Sequence, residues 1–294
     1  MKKNILLIIL TIITVSCSSS SKTEKRDLSE DEKKAQLHYA HGTEKLVQKN
    51  YTMALNHLLK AVKADPKNPK VHNNLGMAYY FKGKLDKAIE HLQVAIDLDT
   101  ENFDALNNLA SIYFKQGRFE LAKTQYQKVL SHLDYPHLYR THYNMALIYL
   151  REGSESKARN HLNQSITESN DYCPSYFLLG KLEYNVKNFN SAYENFHKAG
   201  LGTCYTEVAP VFWKGKTLLE QNRLFQAEQI FRDLIKKHPN TVYARRAAVE
   251  LRDIKRREIL ARKVRQQNFQ YNNIEKPLQS KNEEENEVVE SPSF

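Results

Sequence analysis

The sequence predicts an all-α fold, a superhelix of about six stacked two-helix repeats that a further helix closes. The first observation is a spacing of large, small and aromatic residues that recurs about every 34 residues. The second is composition, because glycine totals only 9 of 294 residues and the alternation of β-branched residues typical of strands is missing. The repeats must stack, since one helical hairpin cannot bury its apolar face alone.

The repeat is clearest between Pro69 and Asn102, which reads as two amphipathic helices with a turn at Gly83. Gly76 and Ala88 fall where these helices must cross, and a larger side chain there would hold the backbones apart. Large apolar residues surround the crossing. This spacing resembles the tetratricopeptide repeat, which implies a curved stack whose first helices line a concave face.

Residues 1–16 read as a signal peptide, because two lysines precede an apolar run of 11 residues, too short to span a bilayer. The ending Thr14-Val15-Ser16-Cys17 resembles a bacterial lipobox, which implies that Cys17 carries the lipid. The alternative is an ordinary secretory signal with a free Cys17. Ser18 then implies sorting to the outer membrane, on its periplasmic face. Residues 17–33 are polar and predict a flexible tether.

Residues 34–241 hold six repeats, which align at places 8, 20 and 27 of the unit. The repeats span residues 35–68, 69–102, 103–136, 139–172, 173–207 and 208–241. Six matches in register exclude chance as the explanation. Position numbers within a repeat are called places below.

Residues 242–270 predict a basic capping helix, since a solenoid needs a polar-faced element at its end. The formal charge of the chain is +10, and nine of its basic residues crowd onto this helix. The alternative is a contact with anionic lipid or an acidic partner. Residues 271–294 are rich in glutamate, serine and proline, which predicts a disordered acidic tail.

Cys173 and Cys204 occupy places 1 and 32 of the fifth repeat. These places lie at adjoining ends of an antiparallel hairpin, and an exported protein folds under oxidising conditions. We therefore expect a disulfide, the alternative being two buried thiols that act as small hydrophobic side chains.

The sequence contains few candidate residues for catalysis, metal binding or nucleic-acid binding. None of its 11 histidines is joined by cysteine or carboxylate at metal-ligand spacing, and nucleophile elbows, phosphate loops and zinc-protease motifs are missing. Recognised nucleic-acid motifs are missing as well. The sequence predicts a protein that is not an enzyme, needs no cofactor or metal, and does not bind nucleic acid.

A partner-binding surface is predicted on the first helices of repeats two to six. Asn74, Asn108 and Asn144 share place 6, and such amides either hold the backbone of an extended peptide or tie neighbouring helices together. Both readings stay open. The other predicted partner-binding residues are apolar and would form a trough: Tyr80, Phe114, Tyr143, Leu147, Phe177, Tyr184 and Phe212.

The lipobox, tether, six repeats and capping helix together resemble the outer-membrane pilotin lipoproteins of type IV pili, the Tgl/PilF/PilW family. The resemblance implies that the chain binds the pilus secretin and promotes its multimerisation and assembly in the outer membrane. The alternative is a lipoprotein scaffold for peptidoglycan enzymes or for outer-membrane protein assembly.

Overall fold

The computed structural model describes residues 28–201, 204 and 207–284, with side chains described as far as residue 271. The predicted signal peptide, the lipidation site Cys17 and most of the tether lie outside these residues. Thirteen α-helices form the regular structure of the described part, where no β-strand occurs. The predicted all-α class is thereby confirmed.

The first twelve helices pair into six hairpins. In chain order the helices are α1 (Glu30–Val47), α2 (Tyr51–Ala64), α3 (Pro69–Phe81), α4 (Leu85–Leu98), α5 (Phe103–Lys115), α6 (Phe119–Leu130), α7 (Leu138–Arg151), α8 (Glu155–Glu168), α9 (Cys173–Asn185), α10 (Phe189–Ala199), α11 (Val208–Glu220), α12 (Leu224–Lys237) and α13 (Val242–Glu284). Each hairpin packs its two helices together, and its second helix packs on the first helix of the next hairpin.

The crossing of two helices within a hairpin depends on the small residue at place 8. A Cβ atom added at Gly76 would lie 2.6 Å from Cγ of Leu92, and one at Gly215 would lie 2.6 Å from Cε1 of Phe231. Such distances are well inside van der Waals contact. A larger residue at either place would push the second helix away from the first.

The turn within each hairpin takes the same left-handed conformation whether or not glycine is present. Gly83, Gly117 and Gly153 have φ angles of 72°, 76° and 74°. The other three hairpins place a larger residue in this conformation, with positive φ angles of about 60°; those residues are Lys49, Lys187 and Asn222. The conformation therefore belongs to the repeat, and glycine only lowers its cost.

The boundaries of the stack differ from those the sequence predicts. Helix α1 begins at Glu30, inside the predicted tether of 17–33, because Ser29 and Glu32 form a capping box in which each side chain accepts from the other residue's backbone N–H. Helix α13 runs to Glu284, beyond the predicted end at 270 and into the predicted disordered tail. The prediction ended with the apolar stripe, whereas the backbone hydrogen bonds of a helix do not need one.

Only the beginning of α13 packs on the stack. Ala244, Ala247 and Ile254 are buried, whereas every described side chain from Lys255 to Tyr271 is exposed. No helix among the described residues is both long enough and apolar enough to cross a membrane.

Candidate partner-binding face

The first helices of neighbouring repeats approach one another, and they carry all of the predicted partner-binding residues. Helix α1 contacts α3, α3 contacts α5, and α5 contacts α7, whereas no comparable contact joins the second helices of the described repeats. The stack therefore curves towards its first helices, which line the concave side.

Phe212 does not belong to this face, and its prediction as a partner-binding residue is wrong. Its side chain is 1% exposed and packs in the core against the rings of Phe231 and Tyr243, at centroid distances of 5.8 and 5.5 Å. Place 5 borders the predicted concave-side cavities in repeats two, four and five, at Asn73, Tyr143 and Phe177. In repeat six it is covered by α13, which supplies Tyr243 and also lays the guanidinium of Arg246 over the Phe212 ring at 4.8 Å.

The asparagines on the concave side form a chain of hydrogen bonds through three repeats. Asn108 Nδ2 donates to Oδ1 of Asn73 at 2.9 Å, and Asn73 Nδ2 donates to Oδ1 of Asn74 at 3.1 Å. Asn74 Nδ2 then donates to Oγ1 of Thr43 at 2.8 Å. Of the two readings of these amides, the structure supports the one in which they tie neighbouring helices together.

A second polar contact joins repeats three and four, and the spacing of the repeat does not predict it. Thr141 Oγ1 donates to Oδ1 of Asn107 at 3.0 Å, and both side chains are buried. Nearby, Oγ of Ser111 lies 2.9 Å from the Tyr126 hydroxyl, and Asn144 Nδ2 donates to the same Oγ at 3.5 Å. Burial raises the pKa of Tyr126 to about 12. The contacts of Thr141 with Asn107 and of Asn144 with Ser111 join residues 34 and 33 apart in neighbouring repeats, so they depend on the stacking. Ser111 and Tyr126 belong to the same hairpin.

Tyr80 and Phe114 line a groove of about 540 Å³ between repeats two and four. Two cations complete it, Lys115 and Arg151, and no carboxylate is among its described lining residues, which are Tyr80, Ser111, Phe114, Lys115, Gly117, Phe119 and Arg151. Lys115 Nζ lies 4.8 Å above the Tyr80 ring. The groove, called the basic groove below, offers aromatic surface beside positive charge. The sequence pattern could not indicate either cation, because their common location requires three repeats to be assembled.

Tyr143 and Phe177 line a separate, mostly apolar pocket of about 250 Å³. Its described lining consists of Tyr143, Cys173, Pro174, Phe177, Ala199, Cys204, Glu207, Ala209 and Pro210. Cys173 and Cys204 form a disulfide with their Cα atoms 6.2 Å apart, and this bond is one wall of the pocket. Burial raises the pKa of the Tyr143 phenol. The name apolar pocket is used for this site below.

The remaining predicted residues lie at the edges of these cavities or outside them. Asn74 and Asn108 border a further opening of about 380 Å³ that also contains Met77 and the exposed ring of Phe81. Leu147 is half-buried on α7 and lines neither of the two cavities. Tyr184 donates its hydroxyl to Glu220 at 3.1 Å and meets the Trp213 ring edge-on at 5.2 Å. The predicted trough is thus divided into separate openings.

Among the described residues, no three histidine, cysteine, aspartate or glutamate side chains converge as a metal site. The cavities contain aromatic rings, aliphatic carbons and a few cations. That lining is suited to binding a polypeptide segment.

Sequence-family models of the tetratricopeptide repeat match four stretches of the chain, residues 46–83, 76–117, 102–167 and 211–241. No curated protein matches the chain in sequence.

Solved structures with the same fold include two that the chain covers almost completely. PilF of Pseudomonas aeruginosa is 18% identical with a TM-score of 0.64, over 76% of this chain and 100% of that one. PilW, described as a widely conserved type IV pilus biogenesis factor, is 16% identical with a TM-score of 0.63, over 73% of this chain and 98% of that one. At these identities the likeness shows the fold alone.

Proposed function

We propose that this tetratricopeptide-repeat superhelix is a type IV pilus biogenesis protein, an outer-membrane lipoprotein that binds the pilus secretin and promotes its multimerisation and membrane assembly. The proposal rests on the extent of the structural match: this chain covers 100% of PilF and 98% of PilW.

The basic groove and the apolar pocket are the binding sites that this function would use. The apolar pocket has room for one large side chain of a partner, which would contact Tyr143 and Phe177. The basic groove places Lys115 and Arg151 beside aromatic rings, so it suits a segment that carries carboxylates next to apolar residues. Buried aromatic anchors commonly dominate the energy of such interfaces.

The membrane anchor is the second part of the proposal. A lipid on Cys17 and a polar tether of about 12 residues before α1 would leave the stack free to move on the order of 20 Å from the membrane. Several acyl chains make such an anchor stable where one does not. Tethering confines the chain and the secretin protomers to one surface, which raises their effective concentration for ring assembly.

The test is a crosslinked pull-down from membranes combined with an assay of secretin rings. Tyr143→Ala with Phe177→Ala should abolish ring assembly while helical content and melting temperature stay nearly normal, because half-buried aromatic anchors each contribute more than about 1 kcal/mol to an interface. Leu133→Ala, at a side chain 85% exposed outside both cavities, is the matched control and should assemble rings normally.

The anchor is tested by Cys17→Ala, which should release the protein from the outer membrane and slow ring assembly. A secretin as the main crosslinked partner supports the proposal. A murein hydrolase in its place, with rings forming normally in the aromatic double variant, would replace it by the scaffold alternative.

A further inference from the structure

Histidines recur at places 4 and 23 of three repeats. Place 4 lies on the first helix of a hairpin and place 23 on the second, so each pair joins the two helices of one repeat. The three pairs are His38 with His57, His72 with His91, and His142 with His161. A tetratricopeptide repeat does not need histidine at these places, since repeat three of this chain holds Leu106 and Gln125 there.

Two of the pairs are in direct contact. Nδ1 of His72 lies 3.1 Å from Nδ1 of His91, and Nδ1 of His142 lies 3.0 Å from Nδ1 of His161. In the first repeat the rings of His38 and His57 are 5.6 Å apart, and the Nδ1 atoms of both are buried without a partner among the described residues.

The hydrogen bonds of His72 decide which nitrogen of its neutral ring carries the hydrogen. Its Nε2 lies 3.0 Å from the carbonyl oxygen of Pro66, which can only accept, so Nε2 carries the hydrogen. Nδ1 of neutral His72 is then an acceptor, and Nδ1 of His91 donates to it. The pair can take up one proton, on the outer nitrogen of His91, without losing this bond. A second proton would make two N–H groups face each other at 3.1 Å.

The groups around the pairs are mostly cationic. Burial lowers the pKa of His57, and burial followed by His72 lowers the pKa of His91. Burial and the neighbouring His161 lower the pKa of His142 to about 4, and burial lowers the pKa of His161. Glu90 opposes the lowering at His91. The charged or titratable groups that face the pairs are His41, Lys45, Lys60, Tyr79, Lys87, Glu90, Tyr149 and Lys157. Tyr79 stacks on His91, Tyr149 stacks on His161, and Lys157 lies over the Tyr149 ring.

We propose that the three histidine pairs are a pH-responsive element that loosens the first four repeats on acidification while repeats five and six keep their packing. The last two repeats hold Tyr176 with Asn195 and Val211 with Ile230 at the same places, so they contain no such pair. Each repeat contacts only its neighbours, which allows one end of the stack to open while the other stays closed.

The sign of the change in stability with pH follows from the linkage between folding and proton binding. An unfolded histidine has a pKa of about 6.5. The folded pKa values of His57, His91, His142 and His161 lie below it. The stability that the pairs contribute is therefore complete above about pH 6.5 and is lost as the pH falls towards the folded values. Unfolding should therefore take up protons as the pH falls below about 6.5.

The test replaces each pair with the residues that repeat three uses at these places. The variant carries His38→Leu, His57→Gln, His72→Leu, His91→Gln, His142→Leu and His161→Gln. Urea unfolding midpoints are measured at about pH 7.5 and about pH 5 in EDTA, so that metal binding plays no part. The wild type should lose stability at the lower pH, and the variant should lose most of that pH dependence. The exposed His197→Gln is the control and should behave as the wild type.

Hydrogen exchange, corrected for its intrinsic pH dependence, locates the effect. Protection should fall in α1 to α8 at the lower pH and persist in α11 and α12. If the sixfold variant does not fold, the three double variants are compared instead, and each should remove about a third of the pH dependence. Equal pH dependence in variants and wild type, or equal loss of protection along the whole stack, would overturn the proposal. The outcome is independent of whether the partner is a secretin.

Discussion

Repeats one to four and the unit formed by repeats five and six with α13 stack in the same way, but different side chains hold them. Buried apolar clusters join neighbouring repeats of the first part, and polar contacts add to them: the asparagine chain from Thr43 to Asn108 and the buried pair of Asn107 and Thr141. Its hairpins also contain the histidine pairs. Hydrogen bonds of this kind specify register, and each contributes about 1 kcal/mol to stability.

The second part is held by rings and by a covalent bond. Phe212 and Phe231 are fully buried beside Trp213, and Lys181 lays its ammonium 3.2 Å from the centroid of the Trp213 ring. Burial lowers the pKa of this lysine, and Arg246 adds to the effect. Lys216 and Glu250 pair at 3.1 Å between α11 and α13. The ring packing, unlike this ion pair, responds little to pH.

The comparison shows that the same repeat geometry can be stabilised by different sets of side-chain contacts, with more polar contacts in one part and more aromatic packing and a disulfide in the other. The apolar pocket lies at the junction of the two parts, between α7 of the first and α9 to α11 of the second. A ligand bound there would contact residues of both parts.

The largest expected effect tests the aromatic part. Phe231→Ala should cost about 3–5 kcal/mol of unfolding free energy, because it leaves a cavity beside Phe212 and removes the contact with Gly215. Phe225→Ala on the same helix, where the ring is 71% exposed, should cost less than about 0.5 kcal/mol. Urea unfolding measures both, and similar costs would contradict the view that the aromatic cluster holds this end.

The second-largest loss of stability is expected on removal of the disulfide. Cys173→Ser with Cys204→Ser should cost about 3–4 kcal/mol for a bond that closes 31 residues. Thermal unfolding of the double variant measures the loss, and reduction of the wild type should give a similar one. A thiol count of the denatured, unreduced protein should find no free thiol from either cysteine, and two such thiols would exclude the bond.

Substitutions in repeats one to four should change the unfolding free energy less, and they test the role of the asparagine amides. Asn108→Ala should cost about 0.5–1.5 kcal/mol, because it removes the hydrogen bond to Asn73. Asn163→Ala, at an exposed position of α8, should leave the stability nearly unchanged. If Asn108→Ala keeps full stability but loses partner binding, the amides hold a bound peptide and do not serve to tie the helices together.

The smallest effect is expected at the exposed part of α13. Charge reversal at Lys255 and Arg256 should change stability by less than about 0.5 kcal/mol, since both side chains are exposed. Secretin ring assembly should weaken only modestly, and more at low salt than at high salt. A larger loss with this variant than with the Tyr143 and Phe177 variant would move the binding site to the basic helix.

The sequence by itself determined the repeat, because the spacing that makes a hairpin is local. Gly76 allows the crossing with Leu92 in the same repeat, and the left-handed turn lies between those two residues. The fold class, the six hairpins and the placement of Cys173 beside Cys204 could therefore be predicted from positions within single repeats.

Only the tertiary structure decided which side chains remain available to a partner. Phe212 occupies a concave-face place but is buried, because Tyr243 on α13, in the element that follows repeat six, closes over it. The sequence cannot distinguish asparagines that bind a peptide from asparagines that bond to neighbouring helices. The hydrogen bonds to Thr43 and Asn73 in neighbouring repeats favour the second role. Exposure and hydrogen-bond partners depend on residues that only stacking brings together, so a one-dimensional pattern could not supply them.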